Sequence, residues 1–339
     1  MELAEFKPTG IWRNGHIQSV LASLKVRRRL VERRAAALEA ATNEEIVDCG
    51  NDVRLSCLHA PQPDKDAPVA VLIHGWEGSA RSLYMLAAAA RLFDAGFDVW
   101  RLQFRDHGNS HHLNRELFHS CRLDEVVGCV AAIQHIVDNR PLCLGGFSLG
   151  GNFSLRVAAR ADQAGIDLAQ VVAICPVLHP PSTLTAIESG LWIYNSYFMY
   201  KWRRSLRIKH RFFPDHYDIE AILAQRSMRD LTDHLVTRYG EFPDMQTYLD
   251  GYSIVGDRLM TITAPAVMVM AEDDPVIPFA HLDSVKPSPA LEIFTTRYGG
   301  HCGFLDSLYG RSWADDFLLH RFSGATGRVA APVAKSHVA

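Results

Sequence analysis

Short apolar runs recur along the chain at residues 45–49, 53–59, Val69–His74, Phe97–Leu102, Leu142–Phe147, Val171–Cys175, Ala266–Met270 and Leu291–Thr295. The middle runs are almost continuously apolar, the pattern of parallel strands covered on both faces. Between them, apolar positions at helical spacing predict helices at 80–95, 121–138 and 150–164. This βαβα alternation predicts an α/β fold built on a mostly parallel, doubly wound sheet. One interval breaks the rhythm. From Pro180 to Thr261 no strand pattern appears, but aromatic-rich helical stretches do, including Leu191-Trp192-Ile193-Tyr194 and Tyr197-Phe198-Met199-Tyr200. Eighty residues are too many for a structureless loop. A helical cap is therefore expected at 180–261, inserted after the strand at 171–175 and lying over the carboxyl ends of the strands, where α/β sheets bind ligands. The remaining divisions are a basic helical segment at 1–40 packing on the core, the core itself at 41–179 and 262–322, and a flexible tail at 323–339.

Composition narrows the class. At 339 residues, with 48% hydrophobic and 22% charged positions, the chain can bury a large core. A net charge of −3 gives no reason to expect nucleic acid as a partner. Seven cysteines are scattered without a C-x-x-C pair, mostly inside apolar runs, which reads as buried thiols in a reducing compartment. With no apolar leader and no run long enough to span a bilayer, the expected location is cytoplasmic.

The chemistry is concentrated in four places. Gly145-Gly146-Phe147-Ser148-Leu149-Gly150-Gly151 contains G-x-S-x-G, the strand-to-helix turn that lifts a serine hydroxyl clear of a sheet. Ala271-Glu272-Asp273-Asp274-Pro275 follows an apolar strand and supplies a carboxylate able to orient a histidine. Asp274 is preferred; Asp273 is the alternative, more suited to capping the loop, and Glu272 is the weakest of the three. Tyr298-Gly299-Gly300-His301-Cys302-Gly303 then places a histidine between glycines after the last strand. The order Ser148, Asp274, His301 is that of a serine triad on an α/β sheet. His74-Gly75-Trp76-Glu77-Gly78 follows the strand at 69–73, so the backbone N–H groups of Trp76 and Leu149 are the expected oxyanion donors. His74 is expected to brace this loop.

Other residues have competing readings. His107, His111 and His112 permit a metal cluster by spacing, but Gly108-Asn109-Ser110 argues for a loop in which Asp106 and His107 brace a turn. No metal or cofactor is expected. His301-Cys302-Gly303-Phe304-Leu305-Asp306 also fits H-x-x-x-x-D, a pattern shared with some acyltransferases, although Asp306 suits the start of a closing helix. Lys201, Arg203, Arg204, Arg207, Lys209 and Arg211 follow the aromatic stretch without acidic partners. The favoured reading is a cap helix with aromatics toward the pocket and charges toward water. The rival is peripheral membrane contact through the cap or the basic N-terminal segment.

The chain resembles the YheT-type α/β-hydrolases, AB-hydrolase family four. The matching stretches are Phe6-Lys7-Pro8, Asn14-Gly15-His16-Ile17-Gln18, His74-Gly75-Trp76-Glu77-Gly78-Ser79, Phe104-Arg105-Asp106-His107-Gly108-Asn109-Ser110, Gly146-Phe147-Ser148-Leu149-Gly150-Gly151-Asn152, Asp273-Asp274-Pro275 and Gly299-Gly300-His301-Cys302-Gly303-Phe304. The resemblance implies an α/β-hydrolase fold and a serine hydrolase acting on carboxylic esters of short to medium acyl chains or lipids, with Ser148, Asp274 and His301 as its triad. The alternatives are an acyltransferase passing the acyl group to an alcohol and a non-catalytic lipid-binding protein.

Overall fold

The computed structural model describes residues 5–22, 24–138 and 140–328. Eight strands make one sheet: β1 (Asn43–Asp48), β2 (Arg54–Ala60), β3 (Val69–Ile73), β4 (Asp98–Leu102), β5 (Leu142–Phe147), β6 (Leu168–Ile174), β7 (Ala266–Ala271) and β8 (Leu291–Thr296). Their order across the sheet is β1-β2-β4-β3-β5-β6-β7-β8. Only the β1–β2 and β2–β4 pairs are antiparallel. The inner strands coincide closely with the apolar runs, because a strand covered on both faces is filled mainly by apolar side chains; β4 nevertheless buries Asp98 and Arg101, and β1 is largely exposed. Every side chain of β3 is fully buried. β6 starts three residues before its apolar run. Leu142 faces Leu168 and Cys143 faces Gln170, which leaves Ala169 as the extra residue of a bulge. The polar Gln170 conceals this extension in the sequence.

Among the described residues, thirteen α-helices surround the sheet. The first three precede it: α1 (Gly15–Ala22), α2 (Lys25–Arg34) and α3 (Ala36–Ala41). Next come α4 (Leu83–Asp94), α5 (Leu123–Ile136), α6 (Leu149–Ala158) and α7 (Ala161–Ala164). The segment between β6 and β7 holds α8 (Pro180–Ser189), α9 (Trp192–Phe212), α10 (Ile219–Ala224), α11 (Met228–Arg238) and α12 (Met245–Gly251). Finally α13 (Trp313–Thr326) closes the core. The apolar sides of α4 and α13 form one core layer with Val31, Ala35 and Leu38. α5 and α6 cover the other face, and the helices between β6 and β7 extend that second core.

Three expectations need correction. The tail does not begin at residue 323, since α13 continues to Thr326 and buries Phe322 and Ser323 against the sheet; residues 329–339 lie outside the described residues. Asp306 does not start that helix, which Ser312 caps by accepting the Ala314 N–H. Lys209 does not face water. It is 1% exposed and its ammonium donates to Asp106 Oδ1 at 2.6 Å and to the Asn114 carbonyl at 2.5 Å. The lysine thereby fastens α9 to the loop after β4. Around it, Trp192 and Tyr200 are exposed, whereas Phe198 and Trp202 turn inward. Among the described residues, no helix is long and apolar enough to cross a membrane.

Candidate active site

β5 ends at Phe147 and α6 begins at Leu149, so Ser148 makes the whole turn. Its backbone is left-handed, with φ 55° and ψ −119°, a conformation that costs a non-glycine residue about 1–3 kcal/mol. The Ser148 N–H donates to the Ile174 carbonyl at 2.8 Å, which holds the turn against β6. Gly150 permits the close approach: a Cβ there would stand 2.2 Å from the Ile73 carbonyl oxygen.

The loops after β7 and β8 bring the other two groups to this turn. His301 Nε2 lies 2.9 Å from Ser148 Oγ, and His301 Nδ1 lies 2.9 Å from Asp274 Oδ2. The second oxygen of Asp274 accepts the Val276 and Ile277 N–H groups at 2.8 and 3.0 Å, which fixes the carboxylate. Burial by itself lowers the pKa of His301. The charge on Asp274, with a contribution from Cys302, outweighs burial and raises it to about 9. Asp273 is not in contact with the imidazole. Its Oδ1 accepts the Gly300 N–H at 2.8 Å and so braces the loop carrying His301. Glu272 is exposed.

The far end of the chain completes that bracing. Ser19 Oγ accepts the His301 N–H at 2.8 Å and donates to the Gly15 carbonyl at 2.6 Å. Gln18, fully buried, accepts the Leu305 N–H at 2.7 Å and donates to the Leu305 and Trp12 carbonyls at the same distance. His16 Nδ1 meets the Tyr194 hydroxyl at 3.0 Å, linking α1 to α9. Gly15 is packed so tightly that a Cβ would lie 2.0 Å from the Asp273 carbonyl oxygen. The roles of Gln18 and Ser19 were missed by sequence reasoning. The only signal is the motif Asn14-Gly15-His16-Ile17-Gln18, whose matched glycine and glutamine hold that loop.

The loop after β3 is held by two buried histidines. His74 Nδ1–H donates to the Gly75 carbonyl at 2.7 Å, and its Nε2 accepts the Phe104 N–H at 3.2 Å. His107 Nδ1–H donates to the Arg105 carbonyl at 2.7 Å, and its Nε2 accepts the Glu77 N–H at 3.1 Å. Backbone bonds to both nitrogens require neutral rings, each with its proton on Nδ1. Burial lowers both pKa values, that of His107 to about 3. Gly75 N–H donates to the Tyr84 hydroxyl at 2.9 Å. With Gly75 and Glu77 tied, the Trp76 N–H between them has no acceptor within the described residues, and neither has the Leu149 N–H. His111 Nε2 instead meets Ser205 Oγ at 2.9 Å, and His112 Nδ1 meets the Asn109 carbonyl.

Ser148 and His301 open into a cavity of about 570 Å³. Val177, Leu184, Ile187, Leu235, Val236 and Leu249 supply an apolar wall from the end of β6 and the following helices. Trp76 stacks on Phe198 of α9 with ring centroids 5.2 Å apart and meets Trp202 edge-on at 5.1 Å. The arrangement offers a nucleophile, a base, a carboxylate and two spare amides beside an apolar slot.

Comparison with known proteins bears on the family and the fold. The model of the alpha/beta hydrolase family matches residues 70–308. The chain is 25% identical over 323 residues to the Escherichia coli (strain K12) protein named "Putative esterase YheT", covering 92% of this chain and 91% of that protein. It is 20% identical over 249 residues to the mouse (Mus musculus) phospholipase ABHD3, covering 72% and 60% respectively. Among solved structures, Est1E from Butyrivibrio proteoclasticus with bound ferulic acid superimposes with a TM-score of 0.53 at 16% identity, covering 82% of this chain and 99% of that one. The 2,6-dihydroxy-pseudo-oxynicotine hydrolase reaches 0.57 at 14% identity, covering 93% and 82%. These structural likenesses show the fold.

Proposed function

The chain belongs to the alpha/beta hydrolase family, and on that premise we propose that it hydrolyses carboxylic esters through an acyl-enzyme on Ser148. The observation that carries this reading is the continuous path from Asp274 through His301 to Ser148, with both contacts at 2.9 Å and two unspent amides beside it. With its proton on Nδ1 and held by Asp274, His301 accepts the Ser148 proton at Nε2 as Oγ attacks the ester carbonyl. The Trp76 and Leu149 N–H groups receive the developing oxyanion. Collapse of the intermediate expels the alcohol, which takes the proton from Nε2. Water then attacks the acyl-enzyme by the same route and frees Ser148.

The helices between β6 and β7 act as the lid of this site, and their apolar wall takes the acyl chain. Each buried methylene adds about 0.8 kcal/mol until the slot is full. The substrate is thus a small-molecule or lipid ester with a short to medium acyl chain. The Ser148→Ala variant should lose turnover of p-nitrophenyl butyrate by about four to six orders of magnitude and lose labelling by a fluorophosphonate, with its circular dichroism unchanged. Near-normal turnover by that variant would refute the assignment.

A further inference from the structure

One wall of the cavity has no part in the ester chemistry. Glu77 is 8% exposed, and its backbone is locked left-handed (φ 53°) by the N–H bond to His107. Glu77 lines the cavity, and its carboxyl has no hydrogen-bond partner among the described residues. Lys201 of α9 lines the same cavity. It is half-buried, and no carboxylate among the described residues lies within ion-pair contact of its ammonium. The two groups feel each other's charge without touching. The stacking of Trp76 on Phe198 sets this relation, since it presses α9 against the residue before Glu77.

A buried ionisable group without a partner is costly, so Glu77 and the half-buried Lys201, both lining a cavity beside Ser148, call for a ligand to complete them. The sign of that ligand follows from the charges. Burial raises the Glu77 carboxyl to about 8, so it carries a proton at neutral pH and serves as a donor. The other cations on the cavity are committed: Arg28 to Glu32 at 3.3 Å and Arg81 to Glu39 at 3.2 Å. Lys201, whose ammonium lies over the Tyr197 ring at 6.0 Å from its centroid, is therefore the positive charge on this wall with no acidic group in ion-pair contact among the described residues. An ammonium and a neutral carboxyl O–H facing one space lack an acceptor.

We propose that Glu77 and Lys201 form a subsite for an anionic oxygen group, a phosphate or a carboxylate, carried by the ester substrate away from its scissile bond. The proposal rests on the ester-hydrolase reading and names its substrate class: acyl esters of acidic alcohols.

The test compares hexanoyl esters of glycerol, glycerol 3-phosphate and glycerate on the full chain, measuring hexanoate release. At least one acidic ester should exceed the neutral one in kcat/KM by about tenfold or more. Which one it is separates phosphate from carboxylate. Lys201→Met should erase the preference. Lys201→Arg should keep it, and so should Glu77→Gln, whose amide still donates. A wild-type enzyme that favours the neutral ester, a Lys201→Met enzyme that keeps the preference, or a Glu77→Gln enzyme that loses it would overturn the proposal. A binding arm separates its failure from that of the hydrolase reading. Hexyl phosphate or hexanoate should bind the Ser148→Ala protein about tenfold more tightly than hexanol, and Lys201→Met in that background should abolish the difference. If that binding is seen while no ester is turned over, the subsite stands and the hydrolase reading falls; equal binding of all three sinks the subsite alone.

Discussion

The loop after β3 and the loop after β8 meet at Ser148, and they are held by opposite means. The first carries the Trp76 amide and is pinned from its own neighbourhood by His74 and His107, at the ends of adjacent strands β3 and β4. The second carries His301 and is pinned by a helix whose residues stand 282 and 287 positions away in the chain. The difference follows from what each loop must do in the proposed reaction. An amide donor needs only a fixed direction, and neutral rings sealed from water provide that at any ordinary pH. A base must take and release a proton, so its own ring cannot be fastened to backbone at both nitrogens. Its support has to come from the main chain around it, through Ser19, Gln18 and Asp273.

The largest effect should come from the axis the two loops share. Asp274→Asn leaves the shape in place but no longer holds His301 in the proton-accepting tautomer. A fall in kcat of about four orders of magnitude is expected. Steady-state kinetics on a short-chain p-nitrophenyl ester reads it, and a loss below tenfold would remove Asp274 from the reaction.

Gln18→Leu tests whether the N-terminal helix belongs to the site. The substitution keeps the volume but strips the partners from the Leu305 N–H and from the carbonyls of Leu305 and Trp12. Each stranded buried group costs about 1–3 kcal/mol. A loop displaced by even an ångström can lower kcat by about 10². The expected result is a lower melting temperature together with a large kcat loss at little-changed KM. An active enzyme with only its melting temperature lowered would show that α1 stabilises the fold without aligning His301.

The contrast between these supports also explains what could be read from residue order. β3, β5 and β7 declare themselves because apolar side chains must fill both faces. Ser148, Asp274 and His301 stand at strand ends, where short-range turn chemistry marks them. The contacts of Gln18 and Ser19 with the loop after β8 obey no periodicity, since neither partner's local sequence encodes the other's position. Lys209 misleads for a related reason. In a run of basic residues it looks solvated, and only the fold brings Asp106 to it. The end of α13 is obscured by the small polar residues Ser323, Gly324 and Thr326, although Phe322 and Ser323 are buried in the core.

The pH dependence should separate the loops directly. In the proposed mechanism His301 works as a base only when neutral, and its pKa is raised from 6.5 to about 9. kcat/KM should therefore rise with pH on a limb centred near 9, by about fiftyfold between pH 7 and pH 9. In Asp274→Asn the limb should move to lower pH, because the charge that raises the pKa is gone. The same shift favours folding most below about pH 6.5, where the ring is protonated in both states, and that contribution is lost as pH rises through about 9. His74 and His107 add no limb in this range, since burial keeps them neutral throughout. A limb centred near 6.5 would mean that Asp274 and burial cancel at His301.

The smallest effect, and the finest test of the comparison, is expected at His107. Removing an oxyanion donor outright costs about 2.7–4 kcal/mol, but His107 supplies none; it restrains Glu77, and through it the amide of Trp76. His107→Leu frees that restraint at one end while the His74 and Tyr84 contacts keep the other. The loss should be about a quarter to a third of a donor, or about threefold to tenfold in kcat with KM unchanged. His107→Gln, with one donor and one acceptor on its amide, should recover part of it. Affinity for a boronic acid that mimics the tetrahedral intermediate should weaken in proportion to kcat, whereas binding of the product acid should not. If both ligands weaken equally, His107 shapes the pocket as a whole, and the loop after β3 is no more specifically restrained than the one it faces.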